Sequence, residues 1–254
     1  MSSGLGKGLY FQVLLEGFSE KVNSEDLVCD EICEAGKRLL IFRNEAAFRR
    51  WEPFLKSQAT ILEEGFTAGE ILRLPSGVVF RAFGNSSSEK EIFLRSQGAF
   101  GSGFHPTTRL CLHLLDELKP SSGWALDLGA GTGILSLLLA RKGWKVLAVE
   151  PDLQALKVLT ENIKRNRLED KIYPLCGEVS ALKGPFTLIV ANLYLRLLIP
   201  QASLLKALLS PAGSLILSGF LVTSLPAVRR AYAGLVVERE ITHQGWAALK
   251  FTTP

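Results

Sequence analysis

The sequence is poor in soft metal ligands and has no long apolar run. Four cysteines, Cys29, Cys33, Cys111 and Cys176, are too few to staple a secreted chain of 254 residues, and they suit a reducing compartment. With three histidines and one Cys-x3-Cys pair, a zinc site would have to gather its four ligands from distant segments, so no metal is expected. The apolar run at residues 10–15 stops at Glu16, and that at 134–140 stops at Arg141 and Lys142. Both are too short for a secretory h-region or a membrane span, which predicts a cytoplasmic protein with no membrane partner. An excess of charge of one sign is also missing. Lysine and arginine number 29 against 25 acids, and a net charge of +4 is too small and too dispersed to mark a nucleic-acid binder. No repeat or low-complexity tract is present.

What is there is a globular balance, 47% hydrophobic and 21% charged, which excludes disorder, collagen and coiled coil. The length allows one large domain, or a domain of about 150 residues with a smaller one. Residues 1–65 read as a small α+β unit. A strand at 10–15 is followed by stretches at 28–34 and 37–43 that can pair as a hairpin, and Asn44 caps a helix with Ala47, Phe48, Trp51 and Leu55 at helical spacing. A short strand at 59–62 follows. The alternative makes Ser24 the cap of a helix through Cys33. Residues 66–98, broken by Pro75-Ser76-Gly77 and by 84–88, read as a linker with some strand.

Residues 99–254 alternate strand and helix. Strands are expected at 124–128, 145–149, 172–176, 187–191, 214–220, 235–241 and 246–251, the last two as an antiparallel pair. Helices are expected at 134–142, ending at Gly143, and at 152–166, 197–209 and 226–232. The basic run 164–167 suits the dipole at a helix end, and Cys176 is expected to pack within its strand. The count gives an α/β, doubly wound sheet of seven strands.

The glycine-rich turn carries the chemistry. Strand 124–128 runs into Asp127-Leu128-Gly129-Ala130-Gly131-Thr132-Gly133, and the helix begins at Ile134. Glycines there let a ligand approach the backbone at a helix N-terminus. The spacing is G-x-G-x-G and not G-x-G-x-x-G, which counts against a dinucleotide pyrophosphate. Asp127 would repel a phosphate and attract a cationic amino group, as at the amino-acid end of S-adenosylmethionine. Glu150, ending the next strand, is placed to accept both hydroxyls of a ribose, a feature shared with NAD enzymes.

The run Gly98 to Thr108, GAFGSGFHPTT, ahead of a leucine-rich helix, resembles the F-G-[TS]-G-x-H-x-T-T loop of the PrmA family. These are S-adenosylmethionine-dependent methyltransferases that modify protein eleven of the large ribosomal subunit. The resemblance continues through Asp127 to Gly133, the pair Asn162 and Asn166, and Val190-Ala191-Asn192-Leu193, and covers about residues 98–254. It implies a class I methyltransferase (Rossmann-like) sheet with a small N-terminal, degenerate ferredoxin-like domain. That domain would present the ribosomal protein through a linker.

Carried over by motif, Phe100, Gly101 and Thr107 contact the cofactor with Asp127, Gly129, Gly131, Gly133 and Glu150. Asn192 faces both the cofactor and the incoming amine and is the catalytic candidate. The expected reaction is methyl transfer to lysine or N-terminal amines, by a monomer with no direct nucleic-acid partner. Asn192-Leu193-Tyr194-Leu195 is not the N-P-P-Y pattern of amide and adenine methyltransferases. The family's second-strand acid is usually aspartate; Glu150 replaces it, and the longer carboxylate still reaches a ribose. The tryptophan-rich acidic linker is not evident, and the first helix is shortened to about residues 19–27. His105 reads as a general base or as a loop cap, and Thr107 and Thr108 as caps of the following helix or cofactor contacts. A same-fold enzyme for another substrate, or a non-catalytic cofactor-binding module, stays open.

Overall fold

The structure is a computed structural model that describes residues 10–18, 20, 25, 27–32, 38–42, 44–67, 70–81, 88–95, 101, 103 and 105–254. The first unit contains strands β1 (Tyr10–Glu16), β2 (Leu27–Ile32) and β3 (Arg38–Phe42), helix α1 (Glu45–Gln58) and strand β4 (Thr60–Thr67). All pairings are antiparallel, in the order β2-β3-β1-β4. That order, with a helix crossing from β3 to β4, is the one a ferredoxin-like unit requires. The expected hairpin is present, and the strand at β2 replaces the alternative helix through Cys33. Most of the shortened first helix, at 19, 21–24 and 26, lies outside the described residues, and Leu27 already belongs to β2. Asn44 caps α1 by accepting from the Ala47 N–H at 2.8 Å. The helix sets Phe48 and Leu55 against Val13, Leu15 and Phe42.

The segment read as a linker contains three strands, β5 (Glu70–Arg73), β6 (Val79–Arg81) and β7 (Glu91–Phe93). β5 and β6 form a hairpin around Pro75 to Gly77, and β7 lies parallel to β6. Phe80, Ile92 and Leu94 are buried in the core of the large sheet, so these strands are packed structure.

That sheet has seven strands: β8 (Trp124–Leu128), β9 (Lys145–Val149), β10 (Ile172–Leu175), β11 (Phe186–Asn192), β12 (Leu209–Leu221), β13 (Val236–His243) and β14 (Trp246–Thr252). Their order is β10-β9-β8-β11-β12-β14-β13; the first five are parallel and β14 is antiparallel to both neighbours. The doubly wound α/β architecture expected from the sequence is therefore present. Helices α2 (Pro106–Asp116), α3 (Ile134–Arg141) and α4 (Leu153–Arg165) cover one face. Helices α5 (Leu195–Leu198), α6 (Ala202–Ala207) and α7 (Leu225–Ala231) cover the other. The two-residue strand period sorts the apolar residues. In β11, Leu188 and Val190 face α2 and α3, while Ile189 and Ala191 face the second layer. Among the described residues no helix is long and apolar enough to cross a membrane.

Two local expectations are corrected. The helix expected at 197–209 is two short helices, α5 and α6, parted at Pro200, and the chain is already in β12 at Leu209. Proline has no N–H for the helical ladder, and strand pairing takes over when Leu209 lies beside Phe186. Cys176 does not pack within a strand but is exposed just past β10. β10 is the sheet's edge, and only its Ile172 is buried. Gly143 follows the α3 cap at φ +95° and Lys164 and Arg165 end α4, as expected.

The parallel order reverses between β8 and β11, the place where an open α/β sheet has its ligand crevice, outside the carboxyl ends of the strands. Gly219 follows Ser218, which pairs with Asn192 at this end of the sheet. It sits in a break of the β12–β14 register at φ +95°, and a Cβ there would overlap the backbone carbonyl of Leu193, just after β11. Gly219→Ala is expected to destabilise the fold by about 3 kcal/mol, from left-handed strain and backbone overlap together, read as a lowered urea midpoint with an unchanged slope.

Candidate functional site

The turn from β8 to α3 has its three glycines, Gly129, Gly131 and Gly133, at φ +74°, +55° and +83°. A Cβ at Gly133 would displace the tip of Leu159 of α4, and the left-handed φ there is what calls for glycine. The Gly129 and Ala130 N–H groups donate to Val149 O at 2.9 and 3.1 Å, and the Gly131 N–H donates to Glu150 Oε2 at 2.9 Å. These donors are engaged with the end of β9. They do not form the open nest that a pyrophosphate would need.

Asp127 is fully buried beneath the turn. Its Oδ2 accepts from the Ser136 N–H at 3.0 Å and from the Ser136 hydroxyl at 2.6 Å. Ser136 stands at the third position of α3, whose N-cap Gly133 has no side chain, so a carboxylate from β8 performs the capping. Its other oxygen, Oδ1, is buried with no hydrogen-bond partner. Burial pushes the Asp127 carboxyl up to about 6, the Ser136 bonds oppose this, and the charge of Glu150 adds to it. Beside it, burial and then the Asp127 charge push the Cys111 thiol up.

Glu150 accepts on both oxygens, from Gly131 N–H and, through Oε1, from Asp152 N–H at 3.0 Å. Each oxygen keeps a second lone pair for a hydroxyl donor. Asn192, at the end of β11, donates from Nδ2 to Thr108 Oγ1 at 3.3 Å, while its Oδ1 is buried and unpartnered. Two orphaned acceptors, Asp127 Oδ1 and Asn192 Oδ1, thus lie at the carboxyl ends of adjacent strands.

Gly101 lies against the turn, its carbonyl accepting from the Thr132 hydroxyl at 2.7 Å. Phe100 lies outside the described residues. His105 caps α2: its Nδ1 accepts from the Thr107 N–H at 3.3 Å and lies 2.8 Å from the Thr107 hydroxyl, and its ring stands edge-on to Trp246. Thr107 and Thr108 are therefore buried residues of the first helical turn and not its caps. The expected residues Gly101, Thr107, Asp127, Gly129, Gly131, Gly133, Glu150 and Asn192 all lie at this end of the sheet.

The pair Asn162 and Asn166 has a role that the sequence reading did not assign. On one face of α4, Asn166 accepts from Phe93 N–H at 2.8 Å and donates to Phe93 O at 2.7 Å. Asn162 does the same with Arg95, at 2.8 and 2.9 Å, and also donates to Thr132 O at 2.8 Å. Two side-chain amides thus imitate a neighbouring strand and tie residues 93–95 to the glycine turn. Their spacing of four on a helix was the available signal. Among the described residues no cluster of three or more histidine, cysteine or acidic side chains would hold a metal ion.

The family model described as ribosomal protein L11 methyltransferase (PrmA) matches residues 82–254. The chain belongs to this family. A ribosomal protein L11 methyltransferase of Rhizobium etli is 39% identical over 166 residues, 61% of this chain and 57% of that protein. One of Pelobacter propionicus is 40% identical over 161 residues, 60% of this chain and 52% of the relative. The chain thus spans about half the length of the curated relatives it matches. The crystal structure of a ribosomal protein L11 methylase from Lactobacillus delbrueckii superposes with a TM-score of 0.63 at 24% identity, covering 69% of this chain and 94% of that one. The similarity supports the fold of this PrmA-family chain.

The raised Asp127 pKa has a measurable consequence. Between the ordinary value of 3.8 and the folded value of about 6, the folded chain holds the proton that the unfolded chain releases. Asp127 therefore lowers stability progressively as pH rises through that window, and its full cost is present above it. Relative to the wild type, Asp127→Asn is expected to gain roughly 2–3 kcal/mol between pH 4 and pH 7, measured by urea unfolding at both values. A difference that does not change with pH would contradict the raised pKa.

Proposed function

We propose that the chain is an S-adenosylmethionine-dependent protein methyltransferase acting on lysine or N-terminal amines of ribosomal protein L11. The observation that carries this reading is the pair of buried, unpartnered oxygens on Asp127 and Asn192. Both are acceptors, and each fits an N–H donor. Asp127 Oδ1 suits the cationic amino group of the cofactor, whose charge would also offset the burial of the carboxylate. Glu150, with a free lone pair on each oxygen, suits the ribose hydroxyls. Gly129, Gly131 and Gly133 form the close-approach wall, with Gly101 above them. Phe100 and Thr107 complete the cofactor set carried over by motif.

The cofactor supplies a methyl group on a sulfonium, a centre open to direct attack by a neutral amine. Asn192 Oδ1 accepts one N–H of that amine, and the Thr108 contact on Nδ2 keeps the amide from rotating away. No strong base is required. A lysine ammonium has an ordinary pKa of about 10.4, and loss of hydration as the amine enters the site disfavours the charged form, so the amine reacts after losing its proton to water. Alignment by Asn192 provides the rate. His105 is not needed as a base, and its Nδ1 is engaged at the start of α2.

The N-terminal unit, residues 1–65 with the rest of β4, presents the protein substrate to this crevice in our reading, with 66–98 joining it to the methyltransferase domain at 99–254. The enzyme works as a cytoplasmic monomer on protein and not on nucleic acid. The supports are the family membership, the ferredoxin-like strand order and the absence of the N-P-P-Y pattern.

The test is transfer of labelled methyl from S-adenosylmethionine to isolated ribosomal proteins, with the acceptor found by mass spectrometry. Label on protein L11 is expected; cofactor binding without label on any protein would overturn the substrate assignment. Asn192→Ala is expected to lower kcat by about a hundredfold and change the cofactor Kd by less than about threefold. The reverse pattern would make Asn192 a cofactor contact only.

A further inference from the structure

In the turn Gly129-Ala130-Gly131-Thr132-Gly133, Thr132 carries the only polar side chain, and it is fully buried. Its two oxygens serve two points of the chain ahead of α2. The hydroxyl donates to Gly101 O at 2.7 Å, and the Thr132 carbonyl accepts from Asn162 Nδ2 at 2.8 Å. Asn162 in turn exchanges hydrogen bonds with the Arg95 backbone, accepting from its N–H at 2.8 Å and donating to its carbonyl at 2.9 Å. Residues 95 and 101 are thus both tied to one residue of the glycine turn.

The contact at Gly101 is also close in space. Gly101 stands at φ +106°, and a Cβ on it would lie 2.7 Å from Thr132 Oγ1. Gly103, at φ +95°, would bring a Cβ to 3.1 Å from Ile134 Cδ1, on the first residue of α3. The backbone at 101 and 103 therefore rests directly on the turn and on the start of α3. The Gly103 carbonyl has its own donor, Arg109 Nε at 3.3 Å. Among the described residues, the hydrogen bond that Gly101 O accepts comes from Thr132 alone.

We propose that Thr132 is a positioning residue for the cofactor, its hydroxyl holding the Gly101 backbone against the glycine turn and so slowing release of the bound molecule. The proposal rests on the reading of the chain as an S-adenosylmethionine-dependent enzyme, in which Gly101 stands over the cofactor. A wall fixed in advance costs no ordering when the ligand arrives, and one held by a single bond loses that advantage when the donor is removed. Asn192 and Thr108 lie on β11 and α2 and make their own contact, so alignment of the amine does not pass through Thr132.

Calorimetric titration with S-adenosylhomocysteine, and stopped-flow displacement of it, test this without a protein substrate. Thr132→Val removes the hydroxyl and keeps the branched shape; the Kd is expected to rise about fivefold, chiefly through a faster off-rate. Thr132→Ser keeps the hydroxyl and should stay within about twofold of the wild type. In methyl transfer, the valine variant should raise the KM for S-adenosylmethionine about fivefold and lower kcat by less than about twofold. A lowered urea midpoint with an unchanged Kd would make Thr132 a structural residue only and overturn the proposal. A serine variant as weak as the valine variant overturns it too, since the hydroxyl would then not be the operative group. Should Thr132→Val fail to fold, Thr132→Ala also removes the hydroxyl and carries the same expectation. If the wild type binds no S-adenosylhomocysteine, the methyltransferase reading fails and this proposal with it; binding by the wild type that the valine variant equals overturns the proposal alone.

Discussion

The structure depends on a fully buried carboxylate. Asp127 sits at the end of the central strand β8 and holds the first turn of α3 through Ser136. This joins strand, glycine turn and helix into one rigid corner. The carboxyl is displaced toward neutrality by burial, and half of its accepting capacity is unused. A group with those properties lowers the stability of the empty fold and favours a cationic donor brought to it, which is a common compromise at a binding site.

Other contacts hold the rest of the crevice to that corner. Glu150 straps the glycine turn to the start of α4, and Asn162 straps the turn to residues 93–95. Gly219 lets β12 approach Leu193 closely enough to set the position of Asn192. Glu150 and Asn162 use backbone groups that would otherwise be unsatisfied at the ends of strands and helices. The candidate groups consequently stand on rigid elements with fixed neighbours, as alignment of a nucleophile requires.

The sequence made much of this legible, for identifiable reasons. Strands β8, β9 and β11 are apolar runs buried on both faces, so their positions could be read without knowing their neighbours. The turn between β8 and α3 announced itself because three alternate glycines are rarely wanted for any other purpose. The break at Pro200 was harder, because a leucine-rich stretch has helical spacing whether or not one proline divides it. Cys176 was misjudged because an edge strand and a central strand look alike in sequence. His105 was left between two roles, and only the position of its Nδ1 beside Thr107 assigned it to the helix cap.

The sequence by itself determined the alternation of elements, the chemical types gathered at the glycine turn and the family to which they belong. These are local properties, set by side-chain period, backbone freedom and residue order. Only the tertiary structure decided that Asp127 is a buried cap with one unpartnered oxygen, that Asn162 and Asn166 imitate a strand, and that Gly219 supports Asn192. It also decided that the strands at 70–73, 79–81 and 91–93 pack against the core of the large sheet. Hydrogen-bond partners and burial arise between segments far apart in the chain, so a linear reading can nominate the residues but cannot say which atoms meet.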